Sequence, residues 1–551
     1  MNDIYTYICS FLNNKTILAL LSTSTTIHQL KDKVFFNGVV SIDKVRHLSY
    51  FDRFTNVIVN RQYLVPKNVK YLTFKDKLDQ SIQDIIPDDV MALAIKMCEL
   101  SDSPCDVFAI AIRLSNLSHV PPSVTHLTFI NLYDQSIYGI IPSTVTHLAF
   151  GTFQSINKLT NRRGEQPYHI IPIKKEFGQQ IYGSIPPSVT HLTFGPFFNQ
   201  PIENIIPSSV THLKIKFSNK LLTSNSIPLG VTHLKIRNLL NKSLENIIPL
   251  SVTHLAFGRY FDQPINDAIL SNVTHLTFGN FFDQEINGVV LSNLTHLTFD
   301  WHFNQEINGL VAPNLTHLTF GHDFDREIKG IIFPHLTHLT FGWTFNQEFN
   351  GSIAPNLTHL MFGNDFNQKF NGLTAPNLTH LTFGHDFNQK IKGIILSHLT
   401  HLTFGWNFNQ KINGLMAPNL THLTFGYDFN QSIDGAIPLS VTHLEFRDRF
   451  NQPIYGAIPP NVTHLEFGCN FNQPINGAIP PSVTHLIFGD MFNHEIIGSI
   501  PPNIKYLTFG ENFSHKIEGE IPPNIICLTL TDYYPRENIN DLVHKYKIKF
   551  Q

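Results

Sequence analysis

Histidine is the residue type in this chain that could carry chemistry, and it comes in rows. Thr-His-Leu recurs every 21 residues without a slip from His191 to His485, and Lys505-Tyr506-Leu507 and Ile526-Cys527-Leu528 continue the frame. A period of that size marks stacked supersecondary units. With one strand per unit, neighbouring imidazoles stand ~4.8 Å apart along a sheet on the order of 100 Å long. Two neighbouring histidines could hold a transition metal. Structural zinc, however, takes four ligands in a tetrahedron braced by further hydrogen bonds, and a row of Thr and His offers neither carboxylate nor thiolate. The expectation is therefore a structural ladder, with no metal and no cofactor. The row also suggests pH sensitivity, because protonation near the ordinary pKa of ~6.5 sets like charges on neighbouring strands, which the folded sheet opposes.

Catalysis needs unlike residues that converge, and this chain offers like residues in rows. It has no phosphate-cradling glycine loop and no nucleophile elbow, so no catalytic residue is assigned and a non-enzymatic protein is expected.

The elements that must place the histidines are legible in one unit, Phe471 to Gly489. Val483, Leu486, Phe488, Phe492, Ile496 and Ile500 recur as its apolar positions, and around His485 they alternate with the period of a short strand. Leu486 and Phe488 point inward, so His485 and Ile487 point outward. Val-x-x-Leu-x-Phe takes the place of the stretch that lines the sheet of leucine-rich repeats. Between strands no run of helical length appears, and Gly and Pro punctuate every unit, so extended segments and turns should return the chain. The expected fold is mainly β: a leucine-rich-repeat-like solenoid with one short parallel strand per 21-residue unit, a small α-helical N-terminal region and a short C-terminal capping helix.

The 46 phenylalanines are about what two core columns through some 23 units require, as in Phe194 and Phe198 or Phe488 and Phe492. Gly195, Gly279, Gly342 and Gly489 follow the strand, where a turn to positive φ suits a residue without Cβ. Asn476-Gly477 marks a second turn. The Asn of Phe-Asn-Gln, as in Asn451 and Asn472, is expected to bond backbone and form a ladder with its copy in the next unit.

Composition narrows the partners. A net charge of −3 with 15% charged residues gives no basic footprint for nucleic acid. Five scattered cysteines lack metal or disulfide spacing and fit a reducing compartment. The N-terminus has no basic n-region, and nothing is of membrane-spanning length, so no membrane partner and an intracellular, cytoplasmic location are expected. Glycosylation patterns such as Asn272-Val273-Thr274 then arise from the repeat alone.

The register breaks in informative places. Histidine-like positions fall at His47, Tyr71, Ala92, His126, His147 and His169, and the gap from Ala92 to His126 is 34 residues, which places an insertion near 98–119. Such insertions form loops on one face. The locally basic Asn157 to Gln166 reads as a solvated loop. Thr316 to Leu378 resembles Thr379 to Val441, with Trp343 and Trp406 63 residues apart, as after duplication of three units. Ile539, Leu542, Val543 and Tyr546 have helical spacing and suggest the capping helix.

Phe471-Asn472-Gln473-Pro474-Ile475 with Ile479-Pro480 carries a resemblance to the FNIP repeat, strong from His126 to Leu530 and weak from His47 to Ala92. That resemblance implies a protein of the type found in social amoebae and in giant viruses that infect them, placed in host cytoplasm if viral. Such proteins often open with an F-box, and residues 3 to 36 are similar to one, with Ser10-Phe11-Leu12, a polar turn and a second helix. Ile4, Ile8, Phe11 and Leu12 share a helix face, and Ile17 and Leu20 fit later positions. The chain lacks the Leu-Pro pair that usually opens an F-box, and these helices could equally serve only as a cap.

The domains expected are 1–40 F-box-like, 41–125 degenerate repeats, 126–530 regular repeats and 531–551 a C-terminal cap. The function expected is a protein-interaction scaffold that recruits substrate to a Skp/cullin-type ubiquitin ligase, or a binding module without that link. Adaptor contacts would be Ile4, Ile8, Phe11, Leu12, Ile17 and Leu20. On the repeats the partner contacts would be Trp301, Trp343 and Trp406, which share one turn position, and Lys214, Lys235, Glu445 and Glu466, which vary the residue after the leucine.

Overall fold

The computed structural model describes short strands at residues 40–41, 56–59, 71–74 and 92–95, then residues 124–129, 137–150, most of 181–535, and 547–550. The F-box-like segment, the insertion near 98–119, the basic segment 157–166 and the proposed C-terminal helix lie outside the described residues. The chain divides into two units, Met1–Phe261 and Asp262–Gln551.

In the first unit the strands are β1 (Val40–Ser41), β2 (Asn56–Val59), β3 (Tyr71–Phe74), β4 (Ala92–Ile95) and β5 (His126–Phe129). They are followed by β6 (His147–Phe150), β7 (His191–Phe194), β8 (His212–Ser218), β9 (His233–Asn238) and β10 (His254–Phe257). Each pairs in parallel with the next, and from β5 onward histidine faces histidine and leucine faces leucine. In the second unit strands of three residues start at every 21st residue from His275–Thr277 to His485–Ile487. Tyr506–Thr508 and Cys527–Leu530 continue them, and Ile548–Phe550 adds a last parallel strand that the repeat pattern does not announce.

At two expected ladder positions the described strands pair otherwise. β6 pairs directly with β7, His147 opposite His191, so no strand stands between them at the place expected for His169, which lies outside the described residues. β1 pairs directly with β2 and β2 with β3, so the place assigned to His47 is taken by Asn56.

Alternation decides which side chains go inside. Val483, Leu486, Phe488, Phe492, Ile496 and Ile500 are all buried, while His485 is half-buried on the outer side and Ile487 is 36% exposed. The two phenylalanine columns are continuous within the second unit: Phe362 stacks on Phe366 at 3.8 Å, and Phe366 meets Phe345 and Phe387 at 6.1 and 5.9 Å. Such burial is what makes a unit depend on its neighbours for stability.

Glycine has two different roles. Gly477 sits at φ +64°, as the Asn-Gly turn demands, and Asn204 (φ 58°) takes the corresponding place elsewhere. The glycine after the strand departs from the expected positive φ. A Cβ on Gly342 would lie 1.5 Å from the carbonyl oxygen of Gly321, so this position is set by the approach of one turn to the next. The asparagine ladder is built as expected: Asn367 Oδ1 accepts the Asn388 backbone N–H at 3.0 Å and the Gln389 amide at 3.0 Å.

Candidate functional site

Three surfaces carry the polar and aromatic groups. The first is the histidine row. Within the second unit neighbouring imidazoles from His275 to His485 stack at 4.0 to 4.2 Å with planes 9° to 14° apart, and Tyr506 stacks on His485 at 4.5 Å. The first unit repeats the arrangement from His126 to His254 at 4.0 to 4.1 Å.

The threonine before each histidine fixes its ring. Thr316 Oγ1 lies 2.9 Å from the Thr295 carbonyl oxygen and 2.9 Å from His317 Nδ1. A hydroxyl has one proton. Donating it to the carbonyl leaves Oγ1 free to accept from Nδ1–H and satisfies both contacts. Donating it to Nδ1 would press two oxygen lone pairs together without a proton. By this argument the row histidines from His296 to His485 are the Nδ1–H tautomer, with Nε2 unprotonated. In the first unit the same hydroxyl-to-carbonyl contacts are longer, 3.3 to 3.4 Å.

Parallel rings direct their Nε2 lone pairs side by side, whereas a shared metal needs both to converge on one point ~2.0 Å away. Among the described residues no group of three or more His, Cys, Asp and Glu is placed to hold a metal ion. Protonation is opposed at His147, His191 and His233 and at His317, His338, His359, His380, His422, His443, His464 and His485. Burial first, then the charge of His338 and other histidines, lowers His359; burial first, then His359 and His401, lowers His380. His147 is pushed down to about 4 by burial and then by His126 and His191.

The second surface is the turn after the strand. Trp301, Trp343 and Trp406 are 47%, 53% and 50% exposed, so each buries one side and shows the other. The sequence signal that found them missed what they pack on. His322 lies between Trp301 at 4.5 Å and Trp343 at 5.5 Å, both stacked, and Trp406 stands 4.9 Å from His385 and from Tyr427. All occupy the same turn position, which was the available clue. Acid groups border this row. Burial works against the charged form of Asp323, but hydrogen bonds from His322 and His302 at 2.5 and 2.7 Å outweigh it and hold its pKa below the usual value. Further along, Arg449 pairs with Asp428 at 3.1 Å and lies over the Tyr427 ring.

The third surface is the outward strand position after leucine. Lys214 faces Lys235 on β8 and β9, and in the second unit Glu445 faces Glu466. Glu445 pairs with Arg447 at 2.9 Å, while burial and then Glu445 raise the pKa of Glu466. Lys216 and Arg237, one outward step beyond the lysines, were not anticipated. Their signal was the missing glycine after these two strands.

Cys469 is an unreactive thiol in this setting. Its Sγ–H donates to Asp490 at 3.0 Å, and that bond, with burial and the acid's charge, pushes its pKa up to about 11.

Over well more than half its length the chain matches the family described as FNIP Repeat, at residues 119–153, 177–218, 198–239, 240–281, 309–344, 345–386, 387–428, 408–449, 450–491 and 492–533. A protein of Acanthamoeba polyphaga mimivirus named for FNIP repeats is 25% identical over 166 residues, 27% of this chain. The match spans only 38% of the length of that curated relative. Among solved structures, CroV588, described as a circular leucine-rich-repeat protein, is 28% identical with a TM-score of 0.61, covering 93% of this chain and 88% of its own. YopM from Yersinia enterocolitica is 14% identical with a TM-score of 0.39, covering 82% and 89%.

Proposed function

Because this chain belongs to the FNIP-repeat family, with a leucine-rich-repeat-like parallel solenoid, we propose that it is a non-enzymatic scaffold that binds a protein partner through its repeats. The observation that carries this reading is the half-exposed row Trp301, His322 and Trp343, where large rings are held rigid by stacking and still face solvent. Rigid aromatic anchors are the side chains that dominate protein interfaces. The full chain and its Trp301→Ala, Trp343→Ala, Trp406→Ala triple variant would be used as baits in a lysate of amoebal cells. Specific protein capture by the parent, lost in the variant at unchanged thermal midpoint, is the expected result. An identical set of captured proteins would remove the tryptophans from the reading.

The finer part of the proposal is that Ile4, Ile8, Phe11, Leu12, Ile17 and Leu20 dock a Skp-type adaptor and make the chain the substrate-recruiting subunit of a cullin-type ubiquitin ligase, acting in the cytoplasm. The F-box-like order of residues 3 to 36 supports it. Mixing the full chain with recombinant adaptor should give a complex on size-exclusion chromatography that Phe11→Asp abolishes. The missing Leu-Pro opening favours a second reading, a binding module without ubiquitin linkage, and failure of the parent chain to bind the adaptor would select it.

A further inference from the structure

β8 and β9 are seven and six residues long, where β2 to β7 and β10 have four. The cause is local. Most units end the strand with Phe-Gly, but here the sequence runs Lys214-Ile215-Lys216-Phe217-Ser218 and Lys235-Ile236-Arg237-Asn238, without the glycine that admits a close turn. Leu213, Ile215, Leu234 and Ile236 are buried, so the alternate residues Lys214, Lys216, Lys235 and Arg237 share the outward face. Lys214 is opposite Lys235 and Ile215 opposite Ile236; beyond them the register shifts by one residue before Ser218 meets Asn238, so β8 bulges there, and Lys216 lies close enough to Lys214, Arg237 and Lys235 to feel their charge without being the register partner of Arg237.

Four cations thus stand on two adjacent strands, with Lys214 and Lys235 ~4.8 Å apart across the sheet and Lys235 and Arg237 roughly 6.6 Å apart along β9. Like charges directly opposite each other destabilise a sheet. Among the described residues no carboxylate forms an ion pair with any of the four. The strain reaches their protonation: burial, then Lys235 and Arg237, lowers Lys214, and burial, then Lys214, Arg237 and Lys235, lowers Lys216. On the same face β7 and β10 present only Thr193 and Ala256 beside their histidines, so the patch is flanked by small neutral groups. Charge of the opposite sign from outside the chain would relieve this repulsion.

We propose that the outward face of β8 and β9 binds an extended acidic segment of a partner protein, with carboxylates at alternate positions meeting Lys214 and Lys216 on one strand and Lys235 and Arg237 on the other. The along-strand step carries the choice of occupant. An extended peptide repeats its side chains on one side at roughly 6.6 Å, the same interval as Lys235 and Arg237 on β9. The inference rests on the reading of the chain as an interaction scaffold and names the chemistry of one partner segment.

The test uses the full chain and a fluorescent peptide of alternating Glu and Ser, followed by anisotropy, with inorganic phosphate and polyphosphate as competitors. Saturable binding is expected, weakened by salt and weakened at least about tenfold in the Lys214→Glu, Arg237→Glu variant, which exchanges two repulsive cross-strand contacts for attractive ones and should keep its thermal midpoint. Undiminished binding by this variant would overturn the proposal. So would displacement of the peptide by inorganic phosphate at equal charge, or a preference of the patch for polyphosphate. If the variant still captures the parent chain's partners from lysate, the acidic-segment proposal fails while the scaffold reading stands.

Discussion

His317 stacks on His338 at 4.2 Å with their planes 11° apart, and Thr337 Oγ1 ties His338 Nδ1 to the carbonyl of Thr316. Stacking therefore brings the basic nitrogens of adjacent units together, and the hydroxyl decides which nitrogen of each ring can still take a proton. A column of neutral rings is compatible with this spacing and a column of cations is not.

Stability should consequently fall in mild acid. The folded pKa values of His317, His338, His359, His380, His422, His443, His464 and His485 all lie below the usual value, with burial as the first cause and, except in His317, other nearby cationic groups adding to it. A histidine with a depressed folded pKa contributes fully above the unfolded value of ~6.5, and its contribution is lost as pH drops from there through the folded value. The thermal midpoint at about pH 5 should lie clearly below that at about pH 7.5. Equal midpoints would sink the idea.

The tautomer is directly observable. Long-range proton–nitrogen correlation spectra of the histidine rings at neutral pH should show the protonated nitrogen to be Nδ1 in the row histidines from His296 to His485. Thr358→Val removes the hydroxyl that bonds Thr337 O at 3.0 Å and His359 Nδ1 at 2.9 Å, and should cost about 1–3 kcal/mol while moving the His359 pattern toward Nε2–H. A spectrum with Nε2–H already dominant in the parent chain would contradict the assignment.

Phe366 offers a test of the aromatic columns. It is fully buried and touches phenylalanines of its own and both adjoining units, so Phe366→Ala should destabilise by about 3–5 kcal/mol in denaturant unfolding. A loss below about 1 kcal/mol would mean that the columns repack around the gap.

The two kinds of glycine should respond differently to alanine. Gly435 sits at φ +60° with open space around its missing Cβ, and Gly435→Ala should cost only the backbone strain of about 1–2 kcal/mol. At Gly384 a Cβ would lie 1.7 Å from the Gly363 carbonyl oxygen, so neighbouring turns must separate. Gly384→Ala should be the more damaging by thermal denaturation, and the reverse order would refute the close-approach account.

The inward face was legible because burial imposes a strict alternation. Leu486 and Phe488 fix the strand, and His485 and Ile487 follow from it without further information. The asparagine ladder was legible for a similar reason, since an amide repeated at one interval in a turn has few partners to choose from. What escaped depends on partners far along the chain. The reason for Gly342 lies in a carbonyl 21 residues earlier, and the direct pairing of β6 with β7 joins strands whose histidines are 44 residues apart. Of the three surfaces, single positions such as Trp343 and Lys214 stood out. The grouping of Lys216 with Arg237 needed the lengthened strands β8 and β9.

The joints between units have a consequence for how such a chain changes. Thr379 N–H to Thr358 O at 2.9 Å, Asn388 N–H to Asn367 Oδ1 at 3.0 Å and the stacking of His380 on His359 at 4.2 Å are the same three bonds that join Thr442 to Thr421, Asn451 to Asn430 and His443 to His422. A block of whole units cut out or copied in by recombination leaves every remaining joint chemically complete, as the paired segments Thr316 to Leu378 and Thr379 to Val441 illustrate. Copy number is therefore nearly free to drift in this fold, and the length of its outer surface can be inherited as a variable trait.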